Sequence, residues 1–231
     1  MKVKAQEDYE ITYSADHWEL FRAIRQRAMR ITGLFAEEGF ATYTFGSVAR
    51  GDIKATSDVD IILQQRIPTF RVEIILDQAE IPVLEKKIVQ ATPNDVIKAN
   101  YQLEDDVCLT VLLTDFTRLP FEFYKFGGAV THEQMLQEVR VPGVDKQLLL
   151  IQPTPTGHHA SSIIQQPQVA AQIIGVSTQI VEERVRVLER RDKVGRTGVY
   201  LNVPVAQDES CENVLNNLAK TNPMIRRRMS L

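Results

Sequence analysis

Trp18, Phe21, Ile24, Ala28, Ile31 and Phe35 recur at helical spacing behind Ser14, a residue suited to cap a helix N-terminus, so the chain predicts a helix over about residues 15–38. An apolar run ends at Phe45 and another occupies Val59 to Leu63, both short enough for strands. Pro68 then opens a predicted helix over about 69–80. A strand follows near 86–91, and a hairpin over 95–113 turns through Glu104 and Asp105 into the strand VCLTVLL. Thr131 to Glu138 reads as a short capped helix and KQLLLI at 146–151 as a strand. The pattern is α+β: a small mixed sheet with helices laid against it.

Past this sheet the pattern changes. IQPTPTGHHASS at 151–162 is rich in proline and small polar residues and is the expected boundary, dividing the chain into domains 1–151 and 152–231. In the second, Pro167 opens a short helix, Gly175 breaks it, and Ser177 caps a helix running to about Arg191. Val176, Ile180, Val185 and Leu188 form its buried face, while Ala171, Gly175 and Val181 suit a helix-turn-helix. DKVGRTGVYLNV reads as a β-hairpin, and the whole resembles a winged helix. Nucleic acid, DNA or RNA, is then one expected partner: Ser177, Thr178 and Gln179 are placed to touch bases or phosphates, and Arg186, Arg190, Arg191, Lys193 and Arg196 the backbone. Glu182 and Glu183 oppose that reading, and a protein-contact or homodimer module is the open alternative. Arg226, Arg227 and Arg228 read as a solvated basic terminus.

The candidate chemistry lies in GSVARGDIKATSDVDIIL, residues 46–63. On a strand Asp58 and Asp60 project to one side, about 6.6 Å apart, while Val59 and Ile61 face the other layer. Two carboxylates so placed can hold Mg²⁺ (or Mn²⁺), which takes its other ligands from triphosphate oxygens and water. The Gly46-Ser47 turn lets backbone amides approach phosphate, and Arg50 offers a planar cationic fork for its oxygens.

This block resembles the signature of the DNA polymerase β superfamily of nucleotidyltransferases, particularly its small prokaryotic members: an apolar strand, Gly-Ser, a short basic segment and an acidic pair. The resemblance implies the nucleotidyltransferase fold, NTP as substrate, and a nucleotide site with Gly46, Ser47, Asp58 and Asp60 in the matching roles. It also implies a third carboxylate on a later strand, where this chain places Thr110. Asp106 has the same strand parity but stands about 13 Å away, and Asp115 lies past the strand end. Glu73 can substitute only if FRVEIIL, residues 70–76, is a strand and not the helix that Pro68 favours.

Composition alters this picture little. With 231 residues and 44% apolar side chains the chain can build one large or two modest cores. No apolar run is long enough to span a membrane, and MKVKAQEDYE lacks a signal-peptide core, so a cytoplasmic location is expected. Cys108, Cys211 and the four histidines form no metal-ligand spacing. Residues 1–150 carry 17 basic against 23 acidic side chains and residues 151–231 carry 10 against 7, net −6 and +3. Two functions are therefore expected: a Mg²⁺-dependent nucleotidyltransferase moving a nucleoside monophosphate from NTP to a hydroxyl acceptor, or a nucleotide-sensing, nucleic-acid-binding regulator with a degenerate catalytic site.

Overall fold

The computed structural model describes residues 8–115, 121–195 and 198–230. In chain order, β1 (Asp8–Thr12) precedes α1 (Ala15–Glu37), β2 (Thr42–Phe45), α2 (Ser47–Arg50), β3 (Val59–Leu63) and α3 (Thr69–Gln78). There follow β4 (Val83–Gln90), β5 (Lys98–Leu103), β6 (Val107–Leu112), α4 (Glu122–Phe126), β7 (Ala129–Val130), α5 (His132–Leu136) and β8 (Gly143–Val144). The last elements are β9 (Leu149–Thr154), β10 (Gly157–Ser162), α6 (Pro167–Ile174), α7 (Thr178–Val194), β11 (Leu201–Val205), α8 (Cys211–Thr221) and α9 (Pro223–Met229). The mixed α/β content and the helices at 15–37 and 69–78 agree with the sequence pattern. Helical Phe70–Leu76 removes the strand reading of FRVEIIL.

Two compact units are woven from alternating segments: residues 1–29, 43–59 and 121–197 form the first, residues 30–42, 60–120 and 198–231 the second. The expected boundary at 151/152 falls inside a hairpin of the first unit. Strands β9 and β10 pair antiparallel with Ile151 opposite Ala160, and β1 adds to the far edge of β10 with Ile11 opposite His158. The proline-rich stretch is thus strand and turn, with Pro155 and Thr156 at the tip. Gly157 explains why it reads poorly as strand: a Cβ there would fall 1.7 Å from the Ile11 carbonyl oxygen, so β1 can close on β10 only where a side chain is missing.

The first unit's core joins this sheet to the helix pair. Phe126, Val144, Leu148, Leu150 and Ile163 pack with Ala170, Ala171, Ile180 and Val181, and Val176, Val185 and Leu188 lean on the same cluster. Two helices joined by a turn stand in the predicted segment. Gly175 adopts the left-handed conformation after α6, and Ser177 caps α7 by accepting from the Ile180 N–H at 3.3 Å.

The wing does not form among the described residues. Residues 192–194 continue α7, and β11, expected as a wing strand, pairs with β4 in the second unit, Val203 opposite Ile88. Pro204 fits because β11 is the outer strand of the run β11-β4-β5-β6-β3. Arg196 lies outside the described residues.

In the second unit a buried polar cluster secures the chain's end to the sheet. The Lys86 ammonium, 1% exposed, donates to Glu73 Oε1 at 3.1 Å and to the carbonyls of Gln207 and Glu209 at 3.0 and 2.8 Å. The Tyr101 hydroxyl donates to the same Glu73 oxygen at 3.0 Å. Glu212 on α8 accepts from the Thr69 N–H and hydroxyl at 2.7 and 2.5 Å, capping α3 where Pro68 offers no side-chain acceptor. Arg228 is not solvated as expected of the basic terminus: its guanidinium is buried and donates to the Asp95 and Asp115 carbonyls. Burial lowers its pKa.

Candidate functional site

The signature segment is built by close backbone turns. Gly46 stands between β2 and α2 at φ 82° and ψ −146°, a region open essentially to glycine, and its N–H donates to the Gly128 carbonyl at 2.9 Å. A Cβ at Gly46 would point into open space, with nothing within 4 Å. The backbone is therefore bare on that side, open to close approach by another group. Ser47 opens α2, and its hydroxyl donates to Ser57 Oγ at 3.3 Å, while Ser57 Oγ accepts from the Lys54 N–H at 2.9 Å. Those bonds fold the loop that delivers Asp58.

Asp58 is exposed and immediately precedes β3; Asp60 lies on the strand and is half-buried. On the strand Asp60 stands between Val59 and Ile61, which are buried on the opposite face, each 0% exposed.

Arg50 departs from expectation. Its guanidinium is buried, makes a two-point ion pair with Asp52 at 2.9 and 2.9 Å, and donates to the Gly127 carbonyl at 2.5 Å. The fork expected on phosphate is turned inward and engaged by a carboxylate two residues on, which Gly51 at φ 103° brings back toward it.

Sequence reasoning missed the residues that brace this turn. Arg25, buried on α1, donates from Nε to the Val48 carbonyl at 3.2 Å and from Nη2 to the Ala49 and Val139 carbonyls at 3.3 and 2.5 Å. Burial lowers its pKa to about 10, so it is still a cation at neutral pH. His17 Nε2 bonds the Gly51 carbonyl at 2.8 Å and its ring stacks on Tyr13 at 3.7 Å. Both lie on the predicted α1, but their partners are backbone atoms, which side-chain patterns do not reveal.

No other acid joins the pair through the candidates weighed from sequence. Glu73 is held by Lys86 and Tyr101. Thr110 is buried and donates its hydroxyl to Asn100 Oδ1 at 3.3 Å across the β5–β6 ladder. Asp106 sits in the hairpin turn at φ 57°. Among the described residues no group of three His, Cys, Asp or Glu side chains is arranged to hold a metal ion. Two carboxylates still suit a cation that draws most of its ligands from phosphate oxygens and water.

Residues 34–128 match the family model of a nucleotidyltransferase domain. The match contains Gly46, Ser47, Arg50, Asp58, Asp60 and Thr110, and supports the nucleotidyltransferase superfamily. No curated protein and no solved structure matches the chain. No described helix is long and apolar enough to cross a membrane.

The helix-turn-helix lies beyond the matched nucleotidyltransferase domain. Ser177, expected at nucleic acid, donates through its hydroxyl to Glu122 Oε2 at 2.5 Å and through its N–H to Glu122 Oε1 at 3.3 Å. A carboxylate therefore already occupies the electropositive start of α7. Thr178 is half-buried; Gln179, Arg186, Arg190 and Arg191 are exposed, but so are Glu182 and Glu183 on the same helix.

Proposed function

We propose that this protein is a nucleotidyltransferase that transfers a nucleoside monophosphate from an NTP to a hydroxyl acceptor with the help of Mg²⁺. The observation that carries the reading is the bare backbone edge at Gly46, inside a matched nucleotidyltransferase domain and twelve residues ahead of the first of two aspartates spaced two apart at the start of β3.

In this reading Gly46 admits phosphate oxygens to the backbone, and the Ser47 hydroxyl, held half-buried by Ser57, orients them. Asp58 and Asp60 hold the cation. When bound, Mg²⁺ neutralises phosphate charge and aligns the triphosphate for in-line attack. The acceptor oxygen forms a bond to the α-phosphorus, the bond from that phosphorus to the bridging oxygen breaks, and pyrophosphate leaves with the electron pair. The acceptor proton passes to water, because position 110 offers a hydroxyl already committed to Asn100 and not a carboxylate. General-base assistance is worth about 10² to 10⁴ in rate, so turnover is slow.

The Thr110–Asn100 bond also favours a second reading, in which the domain binds NTP as a sensor without transfer. An assay of pyrophosphate release and labelled-nucleotide transfer separates the two, run on wild type, Asp58→Asn and Thr110→Asp over RNA, protein and small-molecule acceptors. Transfer that disappears in Asp58→Asn and quickens in Thr110→Asp is the expected result. Tight binding of Mg²⁺ and NTP with no transfer by any of the three removes the enzyme and leaves the sensor.

A further inference from the structure

Arg25 is a buried charge whose acceptors are all neutral. It is 3% exposed and bonds the Val48, Ala49 and Val139 carbonyls, with the Phe21 ring 4.6 Å from its guanidinium carbon. Its Nη1 has no acceptor among the described residues. Nor is any described carboxylate bonded to it: Glu138 favours its charged form from an exposed position, and Arg140 is a second cation that opposes it. Arg50, by contrast, meets Asp52 through two nitrogens. Carbonyls need only N–H donors, so bracing the turn accounts for the fork of Arg25 and leaves its full charge, costly to bury, without a purpose.

That charge lies behind the signature turn. The Ala49 and Arg50 N–H groups donate to the Gly46 carbonyl at 3.1 and 3.2 Å, so the carbonyls held by Arg25 are within one helical turn of Gly46. All of these residues belong to the first unit. One turn and one hydrogen bond put the guanidinium roughly 10 Å from the glycine. Resting on the nucleotidyltransferase reading, we infer that Arg25 is a positioning residue whose buried charge, held behind the turn, supplies the cation of the phosphate site that Arg50 does not. At that distance and an effective dielectric of about 20, one unit charge changes the affinity for a singly charged phosphate by about tenfold. The effect grows with the charge of the phosphate chain, whereas loss of a backbone brace acts alike on every nucleotide that uses the turn.

The test separates charge from brace by replacing Arg25 with citrulline in the full-length chain. Citrulline keeps Nε–H and one terminal NH₂, and with them the donors to all three carbonyls, and places a neutral oxygen at the Nη1 position. Arg25→Lys does the reverse, keeping the charge and giving up the fork. Anisotropy titrations with the four labelled α,β-methylene nucleoside triphosphates and Mn²⁺, and competition by the matching diphosphates, give the Kd values. Arg25→citrulline should weaken the triphosphate by about tenfold and the diphosphate by less, while Arg25→Lys stays within about threefold of wild type. A folded citrulline variant that binds triphosphate within about twofold of wild type reduces Arg25 to a brace and overturns the inference, leaving the nucleotidyltransferase reading standing. A folded Arg25→Lys weakened by about tenfold does the same, and decides even if the citrulline chain fails to fold. No binding of any of the nucleotides by wild type overturns both.

Discussion

Gly46→Ala tests the phosphate cradle most directly, because Gly39 provides a matched control. Both glycines have positive φ, 82° and 76°, and at both an added Cβ meets nothing within 4 Å. The substitutions therefore create no clash in the free protein and act through backbone strain alone. An alanine forced into a sparsely populated region costs about 1–3 kcal/mol, and both variants should lose stability of that order in urea unfolding. Only Gly46 lies at the proposed phosphate edge. There the methyl group stands where a phosphate oxygen must approach, and losing one hydrogen bond to a charged acceptor costs about 1.5–3 kcal/mol, or roughly 10- to 100-fold in Kd. Anisotropy titration of a labelled α,β-methylene NTP with Mn²⁺ measures the difference. Gly39→Ala should bind as wild type does. Gly46→Ala that is folded and binds within about twofold of Gly39→Ala would show that the bare edge is a turn requirement and nothing more.

Lys86→Met should destabilise the protein by about 1–3 kcal/mol, since it leaves two carbonyls and part of the Glu73 carboxylate without their donor; a change under about 0.5 kcal/mol in urea unfolding would refute that role of Lys86. Glu73→Gln should cost stability through the same cluster yet leave Mn²⁺ binding unchanged, and reduced Mn²⁺ affinity in that variant would return Glu73 to the metal site. His158, whose Nδ1 lies 2.6 Å from the Tyr13 hydroxyl, has its pKa lowered by burial, so the unfolded chain takes up the proton first. Its contribution is complete above the ordinary histidine value of about 6.5 and declines as pH falls below it. His158→Gln should flatten that decline when unfolding free energies are compared across mildly acidic pH, and an unaltered slope would refute the assignment.

What the chain revealed in advance was whatever repeats locally. The α1 face, the Thr131 capping box, the Ser177 cap and the β5–β6 hairpin all depend on neighbours within a few residues, and all form where their patterns lie. The strand that carries Asp60 was legible for the same reason: the apolar run that forms it is local. Arg50 illustrates the limit. Its charge and position suggested phosphate, but its partner was decided by the left-handed turn at Gly51, which returns Asp52 to the guanidinium, and by carbonyls at Gly127 and Val144 that lie far along the chain.

The expected boundary falls within a hairpin for a related reason. Proline and glycine at 153–157 signal a break in regular structure, but a two-residue hairpin tip uses the same residues as a linker, and only β1, from the other end of the first unit, distinguishes them. Likewise β11 carries the alternation of a wing strand, and that pattern does not specify its partner. Its place is decided by the open edge of β4 and by Lys86, which grips the Gln207 and Glu209 carbonyls just past the strand and draws α8 onto α3 through Glu212. Once the C-terminal segment is committed there, the helix pair α6–α7 has no wing strand of its own among the described residues. Its N-terminal anion position is already filled by Glu122, so the helix-turn-helix pattern here secures a core and does not by itself argue for nucleic acid.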